Sequence, residues 1–214
     1  FGLGEKVLNE IFSIEKKGLI PDTKWKKNNL GKGWVIGETL ITGIGQGYTQ
    51  TTPLQLCQMT AQLANGGFKI YPKIIVEEDS KTAEEIRFIM NENRKQLNKK
   101  DSRLKDTTEL LGFLDKKEHE ALFKSSKNID LVREAMFAST NEIRGTSYRS
   151  RIDNPKYQFA GKTGTSQVKR ITEAARELDL STSEIPYNER DHALYIAFGP
   201  YKNPRYALSI VIEH

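Results

Sequence analysis

The sequence predicts a mixed α+β fold around a sheet that is at least partly antiparallel. Three observations carry that expectation. Two strand-like apolar runs, 193–198 and 206–212, are joined by the turn Gly199-Pro200-Tyr201-Lys202-Asn203-Pro204, which is the pattern of a hairpin. Residues 52–64 and 129–140 repeat apolar positions at helical spacing. With 214 residues, 37% hydrophobic and 29% charged, the chain can bury a core of ordinary globular composition.

Taken in order, residues 1–50 are rich in glycine and turn residues and predict irregular structure with short helices. Thr52 then fits a helix N-cap and Pro53 a first turn. Leu54, Leu56, Met59, Ala61, Leu63 and Ala64 supply that helix with an apolar face, and Asn65-Gly66-Gly67 ends it with residues that tolerate positive φ. Residues 70–76 predict a short strand. Residues 77–127 form a charged, helix-prone insertion of mixed sign. Residues 129–140 predict an amphipathic helix with Leu131, Val132, Ala135, Met136 and Ala138 on its apolar side. Gly145-Thr146 and Asn154-Pro155 punctuate the next connection. Residues 157–161 alternate as a strand that continues into Lys162-Thr163-Gly164-Thr165. A polar excursion over 169–191, with a helical patch at 173–178, precedes the hairpin.

Composition removes several function classes. The net charge is +5, but basic and acidic residues alternate, which describes a solvated helical face. Attraction to an anionic membrane or polymer surface fits the same balance. No aromatic-and-basic pattern of the RNA-binding kind occurs, so no nucleic-acid partner is expected. Cys57 is the single cysteine and sits in an apolar helical pattern, where it packs rather than reacts. His119, His192 and His214 are far apart and lack zinc-ligand spacing, so no metal is expected. No apolar stretch approaches the roughly 18 residues of a membrane helix. The sequence starts at Phe1 without a leader pattern and stops in a strand-like run, so it is expected to be a piece of a longer protein, incomplete at both ends.

The chemistry concentrates in Lys162-Thr163-Gly164-Thr165. Acyl transfer needs a nucleophile, a base, an oxyanion hole and a grip on the substrate. A strand with this sequence supplies the last two. The Lys162 ammonium sets the local field, the Thr163 and Thr165 hydroxyls bind a carboxylate, and Gly164 lets a substrate lie against the strand. The Thr165 backbone N–H is available to an oxyanion. Lys-Thr-Gly is one of three short motifs of serine acyl-transfer sites of the penicillin-recognising kind.

Longer signatures surround it. Gly43-Ile44-Gly45-Gln46-Gly47-Tyr48, Thr52-Pro53-Leu54-Gln55-Leu56 and Leu63-Ala64-Asn65-Gly66-Gly67 resemble the stretch that follows the second motif of high-molecular-mass penicillin-binding proteins. Residues 160–168 resemble the third motif, and Arg190-Asp191-His192 with residues 197–204 resemble the strands after it. The last run, with Trp25 and Trp34, is similar to the class B enzymes of cell elongation. The resemblance covers nearly the whole chain and is loosest over 77–127.

The other two motifs have no convincing counterpart. Ser-x-x-Lys occurs at Ser13/Lys16, Ser102/Lys105 and Ser166/Lys169, each in the wrong order or setting. Ser139-Thr140-Asn141 matches Ser-x-Asn but lies after the Gly-Gln-Gly segment, where a helix-terminating turn is the better reading. The nucleophilic serine, its lysine and the second motif are therefore expected upstream of Phe1. Arg144-Gly145-Thr146 is either a cleft-lining or a structural element, and Asp191-His192 is expected to anchor the end of the excursion.

The resemblance implies a penicillin-binding-protein/β-lactamase-like fold with a mainly antiparallel, five-stranded sheet. Residues 1–214 would be the C-terminal portion of one transpeptidase domain, supplying its last three strands. It implies peptidoglycan D,D-transpeptidation without a cofactor, with stem peptides as substrates and β-lactams as acylating inhibitors. It places the parent in the bacterial inner membrane, facing the periplasm, beside a membrane glycan polymerase and rod-shape scaffold proteins. Two other readings stay open: another serine acyl enzyme of this fold (carboxypeptidase or β-lactamase), and a non-catalytic β-lactam-binding sensor.

Overall fold

The computed structural model describes residues 1–8, 14–72, 120–168 and 184–213. Residues 77–119 of the insertion, 169–183 of the excursion with its helical patch, residues 73–76 and the serines Ser13 and Ser102 lie outside these segments. The described order is α1 (Thr23–Leu30), α2 (Ile36–Gly43), α3 (Pro53–Ala64), α4 (Ser126–Asn141), β1 (Ala160–Ser166), β2 (His192–Gly199) and β3 (Tyr206–Ile212). The strands form one antiparallel sheet in the order β1-β2-β3.

Local chemistry starts the helices. Asp22 Oδ1 accepts from Trp25 N at 2.6 Å to cap α1, and Gly31 closes that helix at φ 65°. Glu38 reaches back to Val35 N at 2.9 Å and also takes the Lys26 ammonium at 2.6 Å, so it caps α2 and ties it to α1. Both side chains of that pair are mostly shielded from solvent. The ammonium first, and then the Val35 N–H, hold the Glu38 carboxyl below the usual carboxylate range. For α3, Thr52 Oγ1 accepts from Gln55 N while Gln55 Oε1 accepts from Thr52 N, a reciprocal capping box around Pro53.

The register 160↔198 and 198↔207 puts Ala160, Phe198 and Ala207 on one side of the sheet. That side packs with Leu63 and Ala64 of α3 and Ile129 and Met136 of α4 to make the core. Phe198 is 1% exposed and Ala160 is fully buried. On the other side of β3, Tyr206, Leu208, Ile210 and Ile212 are exposed.

Several expectations need correction. The buried side of α3 is largely polar: Gln55, Thr60 and Gln62 are enclosed, while Leu54 is exposed. The cause is the N-terminal segment. Gln55 Nε2 donates to Glu5 O and Lys17 O at 2.6 and 2.9 Å, and Gln62 Nε2 donates to Phe1 O at 3.0 Å. On α4, Leu131, Val132 and Ala135 are exposed, and the enclosed positions are Ile129, Met136 and Thr140. The strand expected from 157 begins at Ala160, because Tyr157 N is held in a turn by Asn154 O at 2.9 Å. Of the strand expected at 70–76, residues 70–72 are not in one. A single bridge, Phe68 to Ala121, stands just before them.

Candidate active site

Strand β1 carries Lys162, Thr163, Gly164 and Thr165, all exposed. It is an edge of the described sheet, paired with β2 on one side only. An edge strand leaves alternate N–H and C=O groups free to bind an extended peptide. The period of two places Thr163 and Thr165 opposite Tyr195 and Ala193, and Lys162 and Gly164 opposite Ile196 and Leu194.

Two glycines let the strand lie where it does. A Cβ on Gly161 would meet the Tyr195 hydroxyl, and one on Gly164 would come 3.3 Å from Leu194 Cβ. Tyr195 in turn lies 3.5 Å from the Thr140 hydroxyl of α4. The entry to β1 is fixed by Asn141, whose Nδ2 donates to Phe159 O at 2.9 Å and to Phe137 O at 3.0 Å.

The Lys162 ammonium folds along its own strand. It donates to Thr163 O at 2.9 Å and lies 3.4 Å from Thr163 Oγ1. Thr163 Oγ1 is also 3.3 Å from Thr146 Oγ1, which is 3.2 Å from Ser139 Oγ. Lys162, Thr163, Thr146 and Ser139 thus stand in one polar row. Thr165 is one strand period further along the same side as Thr163. Together they offer an ammonium and hydroxyls to an anionic ligand, with peptide groups along the edge.

Ser139-Thr140-Asn141 forms the last turn of α4. Its three side chains meet Thr146, Tyr195 and the backbone at Phe159. Asp191 Oδ1 accepts from Val168 N at 3.2 Å, which joins the two ends of the excursion, and His192 pairs opposite Ser166. Thr146, which the sequence left between a cleft-lining and a structural reading, stands in this row. Its signal was the Gly145-Thr146 step: Gly145 packs so closely on the end of α4 that a Cβ would collide with Ser139 O and Ala138 O.

Comparison with known proteins gives the family and the fold. The family model described as the penicillin binding protein transpeptidase domain matches residues 1–214. A peptidoglycan D,D-transpeptidase MrdA of Salmonella typhimurium is 33% identical over 218 residues, covering 100% of this chain and 30% of that protein. The protein of the same name from Acinetobacter baumannii is 29% identical, with 100% and 27% covered. Among solved structures, the complex between PBP2 and MreC from Helicobacter pylori matches with a TM-score of 0.67 at 28% identity, covering 100% of this chain and 30% of that one. Pseudomonas aeruginosa PBP2 in complex with WCK 5153 matches with a TM-score of 0.66 at 29% identity, covering 99% and 37%. The chain spans under a third of the length of these curated relatives.

Proposed function

The chain belongs to the penicillin-binding-protein transpeptidase family, and from that premise we propose that it is the substrate-holding part of a peptidoglycan D,D-transpeptidase of the cell-elongation type. The observation that carries the reading is the exposed edge of β1, which presents Lys162, Thr163 and Thr165 in a chain matched to the family from end to end.

In this reading a stem peptide lies along β1 as an added strand. The Thr163 and Thr165 hydroxyls hold its terminal carboxylate, and Lys162 supplies positive potential. A serine in the sequence before Phe1 attacks the carbonyl of the penultimate D-alanine, and the terminal D-alanine leaves. An amine of a neighbouring stem peptide then displaces the serine from the acyl-enzyme. The Thr165 N–H stabilises the oxyanion in both steps. A β-lactam acylates the same serine, its carboxylate taking the place of the stem-peptide carboxylate.

The parent protein would sit in the bacterial inner membrane with this domain in the periplasm. Among the described residues no helix is long and apolar enough to cross a membrane, so the anchor would lie elsewhere in the parent. A rod-shape scaffold protein is the proposed partner, in line with the PBP2–MreC complex, and a membrane glycan polymerase is a second.

The test is labelled penicillin applied to the full-length protein. One covalent label per molecule, on a serine preceding Phe1, is expected. No label would end the enzyme reading, and a label on Ser13 or Ser102 would show that the motifs are misassigned. Release of D-alanine with transfer to an added amine, rather than to water alone, separates transpeptidase from carboxypeptidase.

A further inference from the structure

We propose that Thr146, backed by Ser139, is a positioning residue that aims the Thr163 hydroxyl at the carboxylate of an incoming ligand. The inference rests on the functional reading above and adds two residues to it.

The first support is how Thr146 is held. The loop after α4 is clamped to the helix end: Gly145 N donates to Glu142 O at 2.8 Å and Ser147 N to Ser139 O at 3.0 Å. Ser147 is buried, and Gly145 lies where no side chain fits. Between these two fixed points the Thr146 side chain has one set of neighbours, Ser139 Oγ on one side and Thr163 Oγ1 on the other.

The second support is donor arithmetic. A hydroxyl has one hydrogen to give and two lone pairs to receive with, whereas an ammonium only gives. Lys162 Nζ faces Thr163 Oγ1, so Thr163 accepts from it. When Thr146 donates as well, both lone pairs of Thr163 are occupied. Its own hydrogen then has no taker inside the row and points outward to a ligand. Ser139 donates to Thr146 in the same sense, so hydrogens run from Ser139 to Thr146 to Thr163 to the ligand. In the opposite sense Thr163 would give its hydrogen to Thr146 and turn lone pairs toward the carboxylate, which repels them. An anion therefore selects the first direction, and each bond polarises the next. Separations of 3.2 and 3.3 Å exceed the roughly 2.7–2.8 Å optimum for O–H···O bonds.

The test uses the full-length protein and two probes, a penicillin with its free carboxylate and the methyl ester of the same penicillin. Second-order acylation constants are measured for wild type, T146V, T146S and S139A, with melting temperatures alongside. For the free acid, T146V is expected to lose about fivefold and S139A about twofold, the scale of single hydrogen bonds. For the ester both variants should lie near wild type. T146S should restore the free-acid rate, and melting temperatures should fall by no more than about 2–4 °C, the scale of one lost hydrogen bond. Equal losses for both probes, no loss, or no rescue by serine would overturn the proposal. Should T146V not fold, S139A decides, because it removes the first donor and leaves the loop intact. A wild-type protein acylated by neither probe would overturn the functional reading and this inference with it, whereas normal wild-type acylation with T146V unaffected overturns this inference alone.

Discussion

Gly145→Ala is the most exacting probe of how the loop is seated on α4. An alanine Cβ there would stand 2.6 Å from Ala138 O and closer still to Ser139 O. Comfortable non-bonded contacts are about 3.5–4.0 Å, so the loop or the helix end must yield by roughly 1 Å. The obstacles are backbone carbonyls, which cannot rotate away as a side chain does. A 1 Å displacement also carries Thr146 Oγ1, now 3.3 Å from Thr163 Oγ1, out of hydrogen-bonding range. Overpacking costs about 1–3 kcal/mol and a lost hydrogen bond about 1 kcal/mol. The stiffer unfolded chain of an alanine variant returns about 0.4–1 kcal/mol. The net loss is about 1–3 kcal/mol, or a melting temperature lower by roughly 2–12 °C for a domain of this size. Thermal melts of the full-length protein measure it. Gly33→Ala is the control: nothing lies within 4 Å of its Cβ position and its φ is ordinary, so its effect should stay within about 0.5 kcal/mol. If the two alanine variants melted together at the wild-type temperature, the packing of this loop on α4 as described here would be wrong.

Three further outcomes are expected. Lys162→Met should lower penicillin acylation of the full-length protein by roughly 10²-fold, the scale of one lost electrostatic contact to a transition state, without changing the melt; an unchanged rate would remove Lys162 from the site. Gln55→Leu should cost about 2–4 kcal/mol in denaturant unfolding, because Glu5 O, Lys17 O and Thr52 N all lose a partner; a loss well under 1 kcal/mol would show that the N-terminal segment is held by other means. The Glu38 carboxyl is held below its ordinary value of 4.5 by Lys26 and the Val35 N–H, so its stabilising contribution is complete above that value and fades as pH falls through the lowered one. The gap in melting temperature between wild type and Glu38→Gln should therefore be constant from neutral pH to near 4.5 and shrink below it; a gap that widened on acidification would contradict the sign.

What the sequence revealed was what is decided locally. Thr52 and Pro53 are neighbours, and the start of α3 can be read from those two letters, whereas the reciprocal bond from Gln55 emerged only in the structure. The runs 193–198 and 206–212 have the period of two that the sheet uses, and their strands match within a residue. What stayed hidden was decided by distant partners. Gln55 and Gln62 are buried because carbonyls at residues 1, 5 and 17 come to meet them, and no helical periodicity announces that. Leu131 and Val132 sit on an apolar-looking helix face that the core does not use. In the site, the run Lys162-Thr163-Gly164-Thr165 stood out as a motif, whereas Thr146 became significant only when the loop after α4 set it against Thr163, 17 positions later.

The two glutamines of α3 carry one more consequence. They are seven positions apart, two helical turns, and so stand on one face about 10 Å from each other. Each grips the N-terminal segment by a main-chain carbonyl, Gln62 at Phe1 and Gln55 at Glu5. A carbonyl is the same in every residue type. Relatives of this protein are thus free to exchange the side chains at Phe1, Leu3 and Glu5, with Gly2 and Gly4 held by positive φ, but the number of residues between the two grips is set by the pitch of the helix. Drift in this stretch should run through substitution, while insertions and deletions are selected out.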